Sequence, residues 1–365
     1  MYSESYSSID PLVIRFRTKN GWVKAGNGCR VLVMALVGSS SLLDYDTQIR
    51  KINALADLEK GPELVGDLSI VSPPDKRKPL WKYLVEETPF IASTLPVYMA
   101  RDKTERIDPR RLLDVALEHI EGGVGMITIH PTPSREIVNM TSRRLTRWTS
   151  RGGGIIIRDL EARGWENENA YMQILNELAE AARKCGTIIS LGASFRSANI
   201  FDSFDEAQQA EIREQLRLAE MLTKLGVGVV IESPGHARPA DINKVAAILK
   251  KSGYPIMPLG PIPTDTAVGQ DHISSSIGAT LMGMAGAAHI LAAVTREEHT
   301  GGVPTLNSTV EAVQTAKVAA HIIDLHLLTD DHDDYVIAQQ RSDNRSCVIG
   351  KKGKGCARCG VVCPL

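Results

Sequence analysis

Eight short apolar runs, each followed by a stretch of helical or turn character, constrain this chain more than any other feature of its sequence. The runs are Arg30–Val37, Leu64–Ser69, Phe90–Tyr98, Gly125–His130, Thr187–Ser194, Gly228–Glu232, Pro255–Gly260 and His289–Thr295. Each is rich in Val, Ile or Leu, as a strand buried on both faces requires. Between them, Asp108-Pro109 sets an N-cap before a proline at the first helical position and opens a helix to about Gly122. Trp165–Cys185, Asp205–Leu225, Pro239–Ser252 and Val310–Leu327 read as further helices, two of them closed by Gly226 and Gly253. Ile155–Ile157 is a ninth apolar run. It sits beside Arg158, Asp159 and Glu161 and reads as the start of a helix. Eight β-then-α units in order predict a (β/α)8 TIM-type α/β barrel over residues 29–328, after an N-terminal segment 1–28 and before a linker and cysteine-rich tail over 329–365. An open doubly wound sheet is the alternative.

At 365 residues, the chain has room for one such barrel. A net charge of −1 argues against a partner held by bulk electrostatics, so neither nucleic acid nor a membrane surface is expected. Met1 to Asp10 is polar and no apolar signal segment follows it. No apolar run reaches the roughly 18 residues a spanning helix needs. The expectation is a cytoplasmic protein, whose six cysteines point to reduced or metal-bound thiols rather than disulfides.

In a parallel barrel, chemistry sits where the strands end. The predicted ends carry Asp67, Tyr98, His130, Arg196, Glu232, His236 and the stretch Thr295 to His299, which would form one ring of titratable and polar groups. Three constellations stand out. The tail places Cys356, Cys359 and Cys363 within eight residues and ends Cys363-Pro364, as bacterial ferredoxin runs do. Three thiolates suit an iron–sulfur cluster with one iron open to a small molecule. Cys347 as a fourth ligand would close the site, and zinc is the other metal that C-x2-C pairs take. His236 and His272 fall one βα unit apart, and two imidazoles beside a carboxylate suit zinc or iron with open positions. Ser150-Arg151-Gly152-Gly153-Gly154 reads as a Gly-rich turn offering N–H groups, a hydroxyl and a guanidinium to a phosphate, and Arg196 is a further anion contact.

Taken together, Ile127–His130, Ser150–Gly153, Ser190–Gly192 with Arg196, Ile231–His236, Leu259–Asp265, Asp271–Ile273, Val294–His299 and Ala319–His321 resemble the ThiC family of radical S-adenosylmethionine enzymes, in order and approximate spacing. The terminal cysteines match the family motif in position and type. The resemblance implies a [4Fe-4S] cluster on Cys356, Cys359 and Cys363 that binds and cleaves S-adenosylmethionine to a 5′-deoxyadenosyl radical. It implies a homodimer in which the tail reaches the partner's site, served by an electron donor such as ferredoxin or flavodoxin. It further implies His236 and His272 as ligands of a divalent metal (zinc or iron), and Ser150, Arg151 and Gly152 as phosphate binders. Tyr98, His130, Arg196 and Glu232 become substrate contacts, with Glu232 and His130 moving protons. The family's substrate is aminoimidazole ribotide, a small phosphorylated molecule rearranged to the thiamine pyrimidine. A related branch makes 5-hydroxybenzimidazole instead, and a non-radical metal-dependent barrel lyase with a zinc tail is the reading from another class. The chain departs from the family at Leu36, Gly66 and Ala193, where the family carries Asn, Met and Asp, and at Ser233 and Gln270. Losing an amide and a carboxylate from a hydrogen-bonding site predicts weaker recognition of that substrate.

Overall fold

The computed structural model describes residues 13–101, 106–350 and 358–364. Strands β1 (Val13–Thr18) and β2 (Gly21–Gly26) form an antiparallel hairpin. Strands β3 (Leu32–Val37), β4 (Leu64–Asp67), β5 (Ile91–Thr94), β6 (Met126–Ile129), β7 (Ile188–Leu191), β8 (Val229–His236), β9 (Ile256–Ile262) and β10 (Ile290–Ala292) form one parallel sheet, in the order β10-β3-β4-β5-β6-β7-β8-β9. The His289 N–H donates to the Ile256 carbonyl at 2.8 Å, drawing β10 against β9 and closing the sheet into a barrel. An open sheet would leave those two strands on opposite edges, so the doubly wound alternative falls. Six predicted runs contain one barrel strand each, while β8 and β9 begin inside theirs and run on past Glu232 and Gly260 to His236 and Ile262.

Local chemistry sets most helix bounds where the sequence placed them. Asp108 caps Pro109–Glu121 by accepting from the Arg110 N–H at 2.9 Å. Asp205 caps Glu206–Lys224 through the Gln208 N–H at 3.0 Å. Pro239–Ser252 stops at Gly253, which adopts φ 74°. The last long helix begins earlier than expected, at Leu306, because Thr305 and Ser308 form a reciprocal capping box. The helix expected over Trp165–Cys185 is instead interrupted. Asn169 caps a short turn, Ala170–Gln173, and Leu175–Cys185 follows. The Asn169 carboxamide accepts from the Tyr171 N–H at 3.0 Å and donates to the His130 carbonyl at 3.1 Å, so a side-chain contact overrides helical propensity. Ile155–Ile157 lies inside the helix Arg151–Ala162. The hairpin and a polar helix at His332–Asp343 lie outside the predicted elements. That helix buries none of its residues, and ion pairs from Lys60 to Asp333 and His321 to Asp334 attach it at the surface.

Strand alternation sends Met34, Leu64, Met126, Ile188, Val230 and Met257 into the barrel interior. Ile14, Phe16 and Ala25 of the hairpin join this inner cluster and plug the barrel's N-terminal end. The opposite strand faces pack against the surrounding helices in a larger outer cluster. With one end filled, the C-terminal rim is the open one. Among the described residues no helix is long and apolar enough to cross a membrane. Phe16 is 1% exposed, so Phe16→Ala is expected to lower unfolding free energy by about 3–5 kcal/mol, read from urea transitions. A loss under about 1 kcal/mol would show that the plug is not part of the core.

Candidate functional site

The inward-facing set continues up the strands to a position near the rim on each. On β6, β7 and β8 these positions are Thr128, Ser190 and Glu232, and they meet. Glu232 Oε1 accepts from Thr128 Oγ1 at 3.2 Å and Ser190 Oγ at 3.1 Å, and Oε2 accepts from the Ala193 N–H at 3.3 Å. Burial pushes the Glu232 carboxyl up, against the pull of the nearby Arg196 guanidinium. A buried carboxyl balanced in this way is suited to taking and returning a proton.

His130 follows β6 and is 2% exposed. Its Nε2 lies 3.1 Å from Ser150 Oγ, while Nδ1 has no protein partner. Two glycines let backbone close over the ring. A Cβ on Gly152 would lie 2.4 Å from the imidazole, and one on Gly192 would lie 2.6 Å away. Burial, with Arg196 second, pushes the imidazole down to about 3, so it is neutral at physiological pH. The expected Gly-rich turn at 150–154 is in fact the first turn of Arg151–Ala162. Ser150 caps it, accepting from the Gly153 N–H at 3.1 Å, and the glycines permit a helix start pressed onto His130. The arrangement is a helix N-terminus whose Arg151 and Gly152 N–H groups precede the first intrahelical bonds, a geometry that suits an anion. The Arg151 guanidinium stands 5.6 Å from the Tyr98 ring centroid. Tyr98 lies in a short helix, Val97–Ala100, rather than at the strand end, and is 6% exposed. Arg196 donates to the Ala193 carbonyl at 3.0 Å and acts electrostatically on Tyr98, His130 and Glu232. Tyr98, His130, Ser150, Arg151, Gly152, Arg196 and Glu232 thus share one half of the rim.

A fully buried carboxylate beneath this half was missed. Glu211, on the helix Glu206–Lys224, accepts from Thr132 Oγ1 at 2.6 Å and from the N–H groups of Ser194 and Phe195, both at 2.7 Å. It clamps the loop after β6 to the loop after β7. The helical period could have placed Glu211 on the buried face, between Ala207, Gln208 and Gln215, but a charge there reads as solvated.

The histidines rearrange the sequence assignment. His236, at the end of β8, faces His299 rather than His272, with the two Nε2 atoms 3.1 Å apart and the rings edge-to-face. Asp265 holds His236 Nδ1 and Asp271 holds His299 Nδ1, each at 2.6 Å. His272 lies inside the helix Asp271–Met284, with Nε2 3.6 Å from Glu311 and Nδ1 buried without a partner. The helix turns it toward Leu306–Leu328, and that is why spacing alone mispaired it. His299 had a signal, since it sits in the polar stretch after β10. Among the described residues no group of three or more His, Cys, Asp or Glu side chains converges as a complete metal site. Of the tail thiols, Cys359 and Cys363 bracket a single turn, Gly360–Val362, and both are half-buried. Cys356 lies outside the described residues.

Burial raises the Glu211 carboxyl from 4.5 to about 7, against its three hydrogen bonds. Ionising it is therefore costlier in the fold than in the unfolded chain. The penalty is absent below pH 4.5 and grows up to about pH 7, so stability falls as pH rises through that window. Glu211→Gln is expected to flatten this part of the profile, followed by urea midpoints at several pH values. An unchanged slope would show that Glu211 ionises freely in the fold.

The Radical SAM ThiC family profile matches residues 12–364. The phosphomethylpyrimidine synthase of Carboxydothermus hydrogenoformans is 31% identical, over 82% of this chain and 71% of that protein. The corresponding protein of Archaeoglobus fulgidus is 35% identical over 80% and 69%, and that of Pyrobaculum aerophilum 28% identical over 94% and 85%. Among solved structures, dihydropteroate synthase of Clostridium difficile superposes with a TM-score of 0.46 at 14% identity, covering 81% of this chain and 98% of that one, a likeness too distant to carry an argument. The match runs through the whole barrel and into the tail, and the chain belongs to the radical S-adenosylmethionine ThiC family.

Proposed function

We propose that this protein is a radical S-adenosylmethionine lyase that rearranges a phosphorylated, imidazole-ribotide-like substrate to a pyrimidine, in keeping with its family and with the phosphomethylpyrimidine for which its relatives are named. The observation that carries the reading is the convergence on one rim of a helix N-terminus with Arg151, a neutral His130, the buried Glu232 and a pair of facing imidazoles. Ser150, Arg151 and the Gly152 N–H at the helix start hold the phosphate. Tyr98 and Arg196 bound the substrate above His130. Glu232 accepts and returns protons within its ring of hydroxyl donors, and the uncharged His130 hydrogen-bonds without competing for the phosphate's charge.

The donor set fits a divalent metal at His236 and His299. With a carboxylate on each Nδ1, two neutral rings would point lone pairs at each other across 3.1 Å, a repulsion that a cation between them removes. Burial pushes the His236 imidazole down, against the pull of Asp265, and so favours the neutral form that ligates. Two imidazoles with open positions suit zinc or iron and leave room for ligand atoms from a small molecule. Cys356, Cys359 and Cys363 would hold the [4Fe-4S] cluster, which with S-adenosylmethionine supplies the initiating radical. Val361 and Val362, 99% and 79% exposed between the described thiols, suit a tail docked on a second protomer of a homodimer, with reduction by ferredoxin or flavodoxin.

The test is anaerobic reconstitution with iron and sulfide, reduction, and incubation with S-adenosylmethionine and aminoimidazole ribotide. The expected outcome is a visible sulfur-to-iron band, abolished in Cys356→Ala, with 5′-deoxyadenosine and a new phosphorylated pyrimidine detected by mass spectrometry. Colourless protein with lyase activity in air would replace this reading with a non-radical, zinc-tailed enzyme.

A further inference from the structure

We infer that the substrate pocket is divided into a hydrogen-bonding half and a hydrocarbon half, so that the substrate edge lying away from Glu232 is apolar. The inference rests on the ribotide reading above and deepens it. The last inward positions of β9, β10, β3 and β4 are Leu259, Ala292, Leu36 and Gly66, on four strands made contiguous by barrel closure. Not one of these side chains carries a hydrogen-bonding atom. The inner cluster beneath them is buried, but Leu36 and Leu259 are only partly so. They are the apolar surface that the interior presents to the rim. Gly66 adds to it. A Cβ there would lie 3.0 Å from Leu36 Cδ2 and 3.7 Å from Met34 Sδ, so the Leu36 side chain leans into the space that the glycine leaves. Leu36 and Gly66 thus act as a pair, a large residue covering for a missing one.

Across the mouth the polarity reverses, with Thr128 and Ser190 directed at Glu232. A ligand held by its phosphate at Ser150 and Arg151 spans from this polar half toward Leu36 and Leu259. A polar substituent arriving against these four positions would lose its water and gain no side-chain partner from them. An alkyl substituent would fill the same space favourably, and one methylene in an apolar pocket changes discrimination by roughly 10- to 200-fold. The substrate class is therefore a phosphoribosylated heteroaromatic with a hydrocarbon edge, such as a methylated or ring-fused imidazole.

The experiment measures binding to the full-length, anaerobically reconstituted protein by calorimetry. The probes are ribose 5-phosphate, aminoimidazole ribotide and the analogue with methyl in place of the amino group. The methyl analogue is expected to bind at least tenfold more tightly than the amino compound. Leu36→Asn is expected to reverse that order, and Leu36→Met, which keeps volume and apolarity, to preserve it. Ribose 5-phosphate binding together with equal ribotide affinities, or a preference for the amino compound, would overturn the division while leaving the phosphate site standing. Failure of all three probes to bind would overturn the ribotide reading and this inference with it.

Discussion

A parallel barrel ends all its strands on one rim, and every functional feature of this protein depends on that constraint. The closing contact between His289 and Ile256 joins β10 to β9, so residues from the two ends of the barrel sequence become neighbours. The hairpin β1–β2 fills the other end with Ile14 and Phe16. Among the described residues the C-terminal rim is the end of the barrel left open. Glu232, His130, the helix start at Ser150 and the imidazoles of His236 and His299 come from separate units and meet there because their strands stop there.

What fixes these groups is buried polar contact rather than apolar packing. Glu211 satisfies two backbone N–H groups and the Thr132 hydroxyl from beneath, and Asn169 ties the His130 carbonyl to the following helix. Gly152 and Gly192 bring backbone against the imidazole more closely than any side chain would allow. Such a site holds its donors in place before a ligand arrives, so little reorganisation accompanies binding. The same burial keeps His130 neutral and lifts Glu232, linking packing directly to proton-transfer chemistry.

The barrel was legible because buried parallel strands read as unbroken apolar runs, and the rim positions of His130, Arg196 and Glu232 were legible because they close or follow those runs, whereas Ser150 and Arg151 stood out only as part of a Gly-rich stretch. The hairpin forms no such run, since Arg15, Arg17, Trp22 and Lys24 face outward between the inward Ile14, Phe16 and Ala25, and its only signal is the apolar–polar alternation of Ile14 to Arg17. The break at Asn169 depends on a carbonyl distant in sequence, which helical periodicity does not register. The histidine pairing failed for a similar reason. Asp271-His272 reads as a carboxylate beside a ligand, yet the first turn of the helix delivers Asp271 to His299 and turns His272 toward Glu311. Which side of a helix start faces the rim is a property of tertiary packing.

The facing imidazoles are the point at which this geometry meets chemistry most directly. Zinc-edge X-ray absorption on protein loaded with zinc would sense a metal held between these imidazoles without interference from iron bound elsewhere. The expected result is two imidazole nitrogens at about 2.0–2.1 Å in the natural protein and in His272→Ala, and one in His299→Ala. Two imidazoles retained in His299→Ala with one lost in His272→Ala would contradict the site described.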